Sequence, residues 1–169
     1  MAGTAQVTVR RAAAGDAEAL ARVHIAAWQA AYAGLVPQEP HRFWTRTMAR
    51  PGPGMVVLAE LDGVTAGFCY FGPTRDAEDN AGRVAEIYAL NVAPQHWRHG
   101  AGRALCEHAA RDARARECDT IILWVLEGNR AARRFYEALG YAVDGAERVN
   151  VKLMPGTPLA EVRYRKAIA

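Results

Sequence analysis

The 169-residue chain predicts a mixed α/β layer fold built on one sheet. Three observations carry that expectation. Short apolar runs with strand character recur along the chain, segments with helical spacing separate them, and their order is strand, two helices, three strands, helix, strand, helix, two strands. Apolar residues make up 51% and charged residues 23%, the balance of a soluble globular chain, and the length suits a single domain whose core needs no staple.

Residues 6–10 alternate as QVTVR and read as the first strand. Asp16 is placed to cap a helix, with Glu18 in its first turn. Leu20, Val23, His24, Ala27 and Ala31 make its buried stripe, Ile25, Trp28 and Tyr32 a neighbouring one, and Gly34 its stop. Residues 37–50 read as a loop and a short helix around Phe43, Trp44 and Met48, with Pro51 starting the next turn. Residues 55–60 and 64–71 are two strands joined at Asp62-Gly63, a hairpin signal. Residues 72–82 are polar and read as an exposed loop, and residues 84–92 as a fourth strand.

The helix that opens near Gly102 turns Leu105, Cys106, Ala109 and Ala113 inward, with Glu107–Arg111 and Asp112–Arg116 spaced as outer pairs. Residues 120–126 are apolar on both faces, as a central strand requires. Asn129 caps a further helix that should bury Ala132, Phe135 and Leu139 and stop at Gly140. Residues 141–143 and 161–166 read as closing strands, around a long loop over 144–158 that contains Pro155, Gly156 and Pro158.

The formal charge of +3 is mild, far from the concentrated basic stripe of a nucleic-acid binder. Cys69, Cys106 and Cys118 are widely spaced and odd in number, which suits a reducing compartment and small buried hydrophobes. No stretch has the pattern of a leader peptide or the length of a membrane span, so a cytoplasmic chain with no membrane partner is expected.

The run VAPQHWRHGAGRAL at residues 92–105 leaves a strand, breaks at Pro94 and becomes helical around Gly102. It contains Arg98, His99, Gly100, Gly102 and Arg103 and no acid. A glycine-punctuated turn that opens a helix aims backbone N–H groups and the positive end of the dipole at an anion. A pyrophosphate cradle is one reading; glycines serving only a tight turn is the other. No GxxxxGK run is present, and the turn follows the fourth strand without spelling GxGxxG, so neither a P-loop nor a Rossmann unit is expected.

A second stretch, LWVLEGNRAARRFYEALGY at residues 123–141, joins a strand, a capped helix, and a Tyr ahead of Gly-Tyr. Together with EIYALNV at 86–92 and WRHGAG at 97–102, it resembles the GNAT superfamily of N-acetyltransferases, with element order in register from Val7 to Lys166. The resemblance implies a mostly antiparallel central sheet with one splayed parallel strand pair, flanked by about four helices. It also implies acetyl-CoA as acyl donor and a small amine as acceptor. The family's loop begins with Gln or Arg where this chain has Trp97, so no side-chain role carries over to that position.

The same resemblance assigns residues. Tyr136 falls where members carry the donor that protonates the CoA sulfur, and a phenol stays protonated at neutral pH; packing beside Phe135 is the other reading. Glu86 falls where members place a base, acting directly or through water, or a charge for a cationic substrate; a solvent-facing strand-end carboxylate is the other reading. Alternation puts it on one face with Tyr88 and Leu90. Backbone groups of Asn91 and Val92 lie where pantetheine amides pair, Gly100, Ala101 and Gly102 where the pyrophosphate sits, and Arg98, His99 and Arg103 supply charge nearby.

Asn129 is a cap, a cofactor contact, or both. Arg130, Arg133 and Arg134 either reach the 3′-phosphate or form a solvated face, with Arg133 spaced for Glu137. Trp28, Tyr32 and Tyr88, with Phe43 and Trp44 beside them, are acceptor-pocket candidates that core packing would equally explain. His96 and His99 lack a third ligand for metal, and Cys106 falls on a buried stripe, away from nucleophile chemistry.

The function expected is acetyl transfer to a primary amine of a small molecule: an amino acid, a polyamine or an amine-bearing antibiotic. A peptide or protein N-terminus as acceptor, and a non-catalytic acyl-CoA-binding module, stay open, as does a homodimer.

Overall fold

Seven strands form one sheet of order β1-β2-β3-β4-β5-β7-β6 in the computed structural model, which describes residues 6–32, 39–50, 52–154 and 156–169. The strands are β1 (Val7–Arg11), β2 (Met55–Leu61), β3 (Val64–Pro73), β4 (Val84–Val92), β5 (Thr120–Leu126), β6 (Ala142–Asn150) and β7 (Leu159–Ala167). The helices are α1 (Ala17–Ala31), α2 (Pro40–Ala49), α3 (Ala101–Ala115) and α4 (Arg130–Ala138). Their order is the one expected. Gly34, Pro37, Pro51 and Pro155 lie outside the described residues.

β1 and β2 pair antiparallel, as do β2 and β3, β5 and β7, and β6 and β7. The β2–β3 hairpin turns through Asp62 and Gly63, both at positive φ (49° and 81°), the twist-matched turn that the Asp-Gly pair signals. β4 and β5 are parallel, from Val84 opposite Thr120 to Ile87 opposite Leu123. The pairing stops there while β4 runs on to Val92 and β5 to Leu126, as a splayed pair requires.

The chain packs as two compact units, Met1–Gly72 with Ala89–Arg111, and Pro73–Tyr88 with Asp112–Ala169. In the first, Leu20 and Val23 of α1 and Trp44 of α2 pack with Val56, Leu58 and Phe68 of the sheet. In the second, Ile121, Ile122 and Leu123 of β5 are buried, as is Tyr164 of β7.

Five local expectations need correction. Residues 144–150 are strand, not loop: β6 runs to Asn150 against β7, with a bulge between Val143 and Glu147 at which Gly145 takes φ 89°. Asp144 and Gly145 look like turn formers, and β6 is solvated along most of its length, so it carries almost no hydrophobic alternation. Asp16 does not cap with its side chain; the carboxylate turns back to the Ala13 N–H (2.7 Å) and to Arg10 (2.8 Å).

Glu107 pairs with Arg103 (3.9 Å), one turn back, although Asp112–Arg116 forms as expected (2.8 Å). α4 buries Tyr136, leaving Ala132, Phe135 and Leu139 only half-buried. The loop after β3 is pinned at two nearly buried carboxylates: Arg163 holds Asp76 (2.8 Å) and Arg165 holds Asp79 (3.0 Å). Ionic ties between residues some 86 apart leave no trace in a local pattern.

Candidate active site

The turn between β4 and α3 is closed by its own side chains. The Trp97 indole N–H donates to the Val92 carbonyl (2.7 Å), and His99 Nδ1 donates to the Trp97 carbonyl (2.8 Å). Between them Arg98 takes φ 64°, uncommon outside glycine, and Gly100 follows at φ 87°. Gly100 then accepts from the Ala104 N–H (3.0 Å), which starts α3. The first N–H groups of any helix lack an intrahelical partner, and this first turn holds no acid, while Arg98 and Arg103 stand exposed beside it. The turn therefore fits a diphosphate. Trp97, 48% exposed, closes the turn, and in doing so occupies one lone pair of the Val92 carbonyl expected to meet pantetheine.

Behind this turn Gly67 of β3 allows a close approach that the pattern of the strand does not reveal. A Cβ there would sit 2.8 Å from the Asn91 carbonyl oxygen and 2.9 Å from Val92 Cγ2. Any side chain at Gly67 would push on the two residues expected to present backbone groups to pantetheine.

Glu86 is not the solvent-facing carboxylate that one reading allowed: it is 1% exposed. Both its oxygens are held by Arg75, through the backbone N–H to Oε2 (2.8 Å) and Nη2 to Oε1 (2.7 Å). The same guanidinium lies 4.1 Å from the centroid of the Tyr88 ring, whose hydroxyl donates to the Pro73 carbonyl (2.5 Å). Glu86 and Tyr88 thus share a face, as alternation requires, and a cation is lodged against both. Arg75 sits in a polar loop and was not legible as a partner.

Asn129 Oδ1 accepts the Ala132 N–H (3.1 Å) and caps α4. Tyr136 is 7% exposed, its ring edge-on to Phe135 (5.1 Å) and Tyr141 (5.7 Å). Arg133 does not pair directly with Glu137. Its Nε donates to the Tyr164 hydroxyl (3.0 Å), which in turn donates to Glu137 (2.7 Å), so the buried tyrosine bridges the pair.

Trp28 and Tyr32 come together on α1 with ring centroids 5.2 Å apart. His24 joins them, edge-on to Trp28 (5.8 Å), Trp44 (5.9 Å) and Phe68 (5.9 Å), and its Nδ1 accepts the Trp44 indole N–H (3.2 Å). Burial pushes the His24 imidazole down to about 4. Tyr88 lies in the second unit with Glu86. Burial pushes the Cys69 thiol well up, with Cys106 adding to the shift, which makes Cys69 an unreactive part of the core. Among the described residues no three His, Cys, Asp or Glu side chains are grouped to hold a metal ion, and no helix is long and apolar enough to cross a membrane.

Comparison with known proteins returns consistent matches. A profile described as the Acetyltransferase (GNAT) family matches residues 18–141. The uncharacterized N-acetyltransferase YuaI of Bacillus subtilis is 30% identical over 87% of this chain and 88% of that protein. A mycothiol acetyltransferase of Thermobispora bispora is 37% identical over 53% of this chain, which spans 30% of that relative's length. Among solved structures, yncA of Salmonella typhimurium, determined with its cofactor acetyl-CoA, gives a TM-score of 0.72 at 21% identity, covering 97% of this chain and 95% of that one.

Proposed function

Because the chain belongs to the acetyltransferase (GNAT) family, whose members are acetyl-CoA-dependent N-acetyltransferases, we propose that its acceptor is the primary amine of a small molecule, such as an amino acid, a polyamine or an amine-bearing antibiotic. The observation that carries the donor side is the turn into α3, with its left-handed Gly100, its acid-free first turn and its indole latch. The aromatic group of Trp28 and Tyr32 supports a compact acceptor, since two edge-packed rings offer rigid apolar surface. A peptide or protein N-terminus is the second reading. It is favoured by β6, which takes residues 144–150 out of the long loop expected over 144–158.

Acetyl-CoA supplies an acetyl group activated as a thioester. The backbone N–H groups of Gly100, Ala101 and Gly102 hold its diphosphate, with Arg98, His99 and Arg103 adding positive charge. Asn91 and Val92 offer backbone groups to the pantetheine amides, and Asn129 keeps the start of α4 in place. As the new C–N bond forms and the C–S bond breaks, Tyr136 gives its phenolic proton to the departing sulfur and regains one from solvent. The nitrogen of the neutral amine gives one proton to solvent water as the C–N bond forms, which balances the proton that Tyr136 takes back.

Glu86 acts here as a charge anchor, holding Arg75 and the face of Tyr88, because taking the amine proton would require the Arg75 bonds to give way. Glu86→Gln is expected to lower kcat/KM by about tenfold and to leave the acidic limb of the pH–rate profile in place. Loss of that limb in the variant would make Glu86 the base instead. The acceptor is tested by following free-thiol release from acetyl-CoA across small amines and peptide N-termini. The reading expects turnover with small amines. Turnover confined to peptides supports the second reading, and tight CoA binding without thioester consumption would make the chain a binding module.

A further inference from the structure

α4 has little apolar anchorage. Four of the nine residues of its sequence, RAARRFYEA, are charged, and Tyr136 is its buried residue. What seats the helix is a set of polar ties, two of them from alternate residues of β7. The Tyr164 hydroxyl bridges Arg133 and Glu137, and Lys166 Nζ donates to the Leu139 carbonyl at the helix C-cap (2.6 Å). An ammonium at that position also meets the negative end of the helix dipole.

The C-terminal turn transmits this tie to Tyr136. Gly140, at φ 86°, lets its N–H reach the Glu137 carbonyl (3.0 Å) and the Tyr141 N–H reach the Tyr136 carbonyl (3.1 Å), the paired bonds of a Schellman motif. The hydrophobic contact that accompanies such a motif is here Tyr141 against Tyr136, ring to ring at 5.7 Å. Lys166 Nζ stands 5.5 Å from the centroid of the same Tyr141 ring. One ammonium therefore grips both the C-cap carbonyl that follows α4 and the ring on which the Tyr136 ring rests.

We propose that Lys166 is a positioning residue for the phenol of Tyr136, acting through the Leu139 carbonyl and the Tyr141 ring. The proposal rests on the acid role assigned to Tyr136. A proton donor misplaced by a fraction of an ångström loses rate in the transition state while ground-state binding of the donor is untouched. Lys166→Met keeps the aliphatic stem and removes the ammonium; Lys166→Arg restores a cation.

The test is a double-mutant cycle of Lys166→Met with Tyr136→Phe, read as kcat and KM for acetyl-CoA. Lys166→Met is expected to lower kcat about tenfold with KM within about twofold, Lys166→Arg to recover most of the loss, and Lys166→Met to cost nothing further once the Tyr136 hydroxyl is absent. Equal losses in both backgrounds, or no loss in either, overturn the positioning role alone. A Tyr136→Phe enzyme with unchanged kcat overturns the acid assignment beneath it and the proposal with it. Should Lys166→Met fail to fold, Tyr141→Leu in the same cycle removes the intermediate ring and must show the same dependence on Tyr136, or the proposal falls.

Discussion

Tyr136→Phe is expected to lower kcat by about two orders of magnitude while the affinity for CoA changes less than about twofold, the signature of a lost general acid. The expectation follows from where the ring is held. Tyr136 is buried in the last turns of α4 and packs edge-on against Phe135 and Tyr141, contacts that a phenylalanine ring reproduces. Its backbone carbonyl accepts from Tyr141 whichever side chain is present. The substitution therefore removes one hydroxyl and leaves the packing. Its cost in stability is about 0.5–1.5 kcal/mol, the worth of an ordinary hydrogen bond. Initial rates by thiol release, with CoA titrated by calorimetry, separate the two effects. Unchanged turnover would remove Tyr136 from the chemistry and leave it as a packing residue.

The second large effect concerns stability in acid. His24 sits among Trp28, Trp44 and Phe68 with Nδ1 accepting the Trp44 N–H, an arrangement open only to the neutral ring. Burial moves its pKa from 6.5 in the unfolded chain to about 4 in the fold. Well above pH 6.5 both states hold it neutral and it gives no pH dependence. Below that value the unfolded chain binds a proton that the folded chain refuses, so stability falls as pH drops until about pH 4, where the folded ring also titrates. The full window costs on the order of 3 kcal/mol.

Urea unfolding of the protein and of His24→Gln, at intervals between pH 7.5 and 4, should show the two stabilities converging as the pH falls. A constant difference between them across that range would sink the assignment. The same acid loss should loosen Trp28 and Tyr32, the acceptor candidates on α1, since His24 packs on Trp28 and lies one turn before it.

Much of the fold was legible because burial imposes a local period. β4 and β5 were placed to the residue, since both are apolar runs bounded by turn formers. The Asp62-Gly63 hairpin and the Asn129 cap follow from backbone chemistry that only a few residue types satisfy. β6 was missed for the opposite reason. An edge strand whose half-buried residues are Ala146, Arg148 and Asn150 has no apolar face to declare itself, and Asp144-Gly145 imitates a turn inside it.

The candidate site divides along the same line. Its backbone half, the glycine turn into α3 and the capped helix α4, was written in the order of residues, because turns and caps are made by neighbours in the chain. Its side-chain half depends on partners that no local pattern shows. Arg75 holds both oxygens of Glu86, the Trp97 indole latches the turn, Gly67 lets β3 crowd Asn91, and Lys166 reaches the end of α4. By itself the sequence determined which elements form, their order and the family to which they point. Only the tertiary structure decided which charges are already spoken for, because a hydrogen bond depends on a separation in space that no periodicity along the chain encodes.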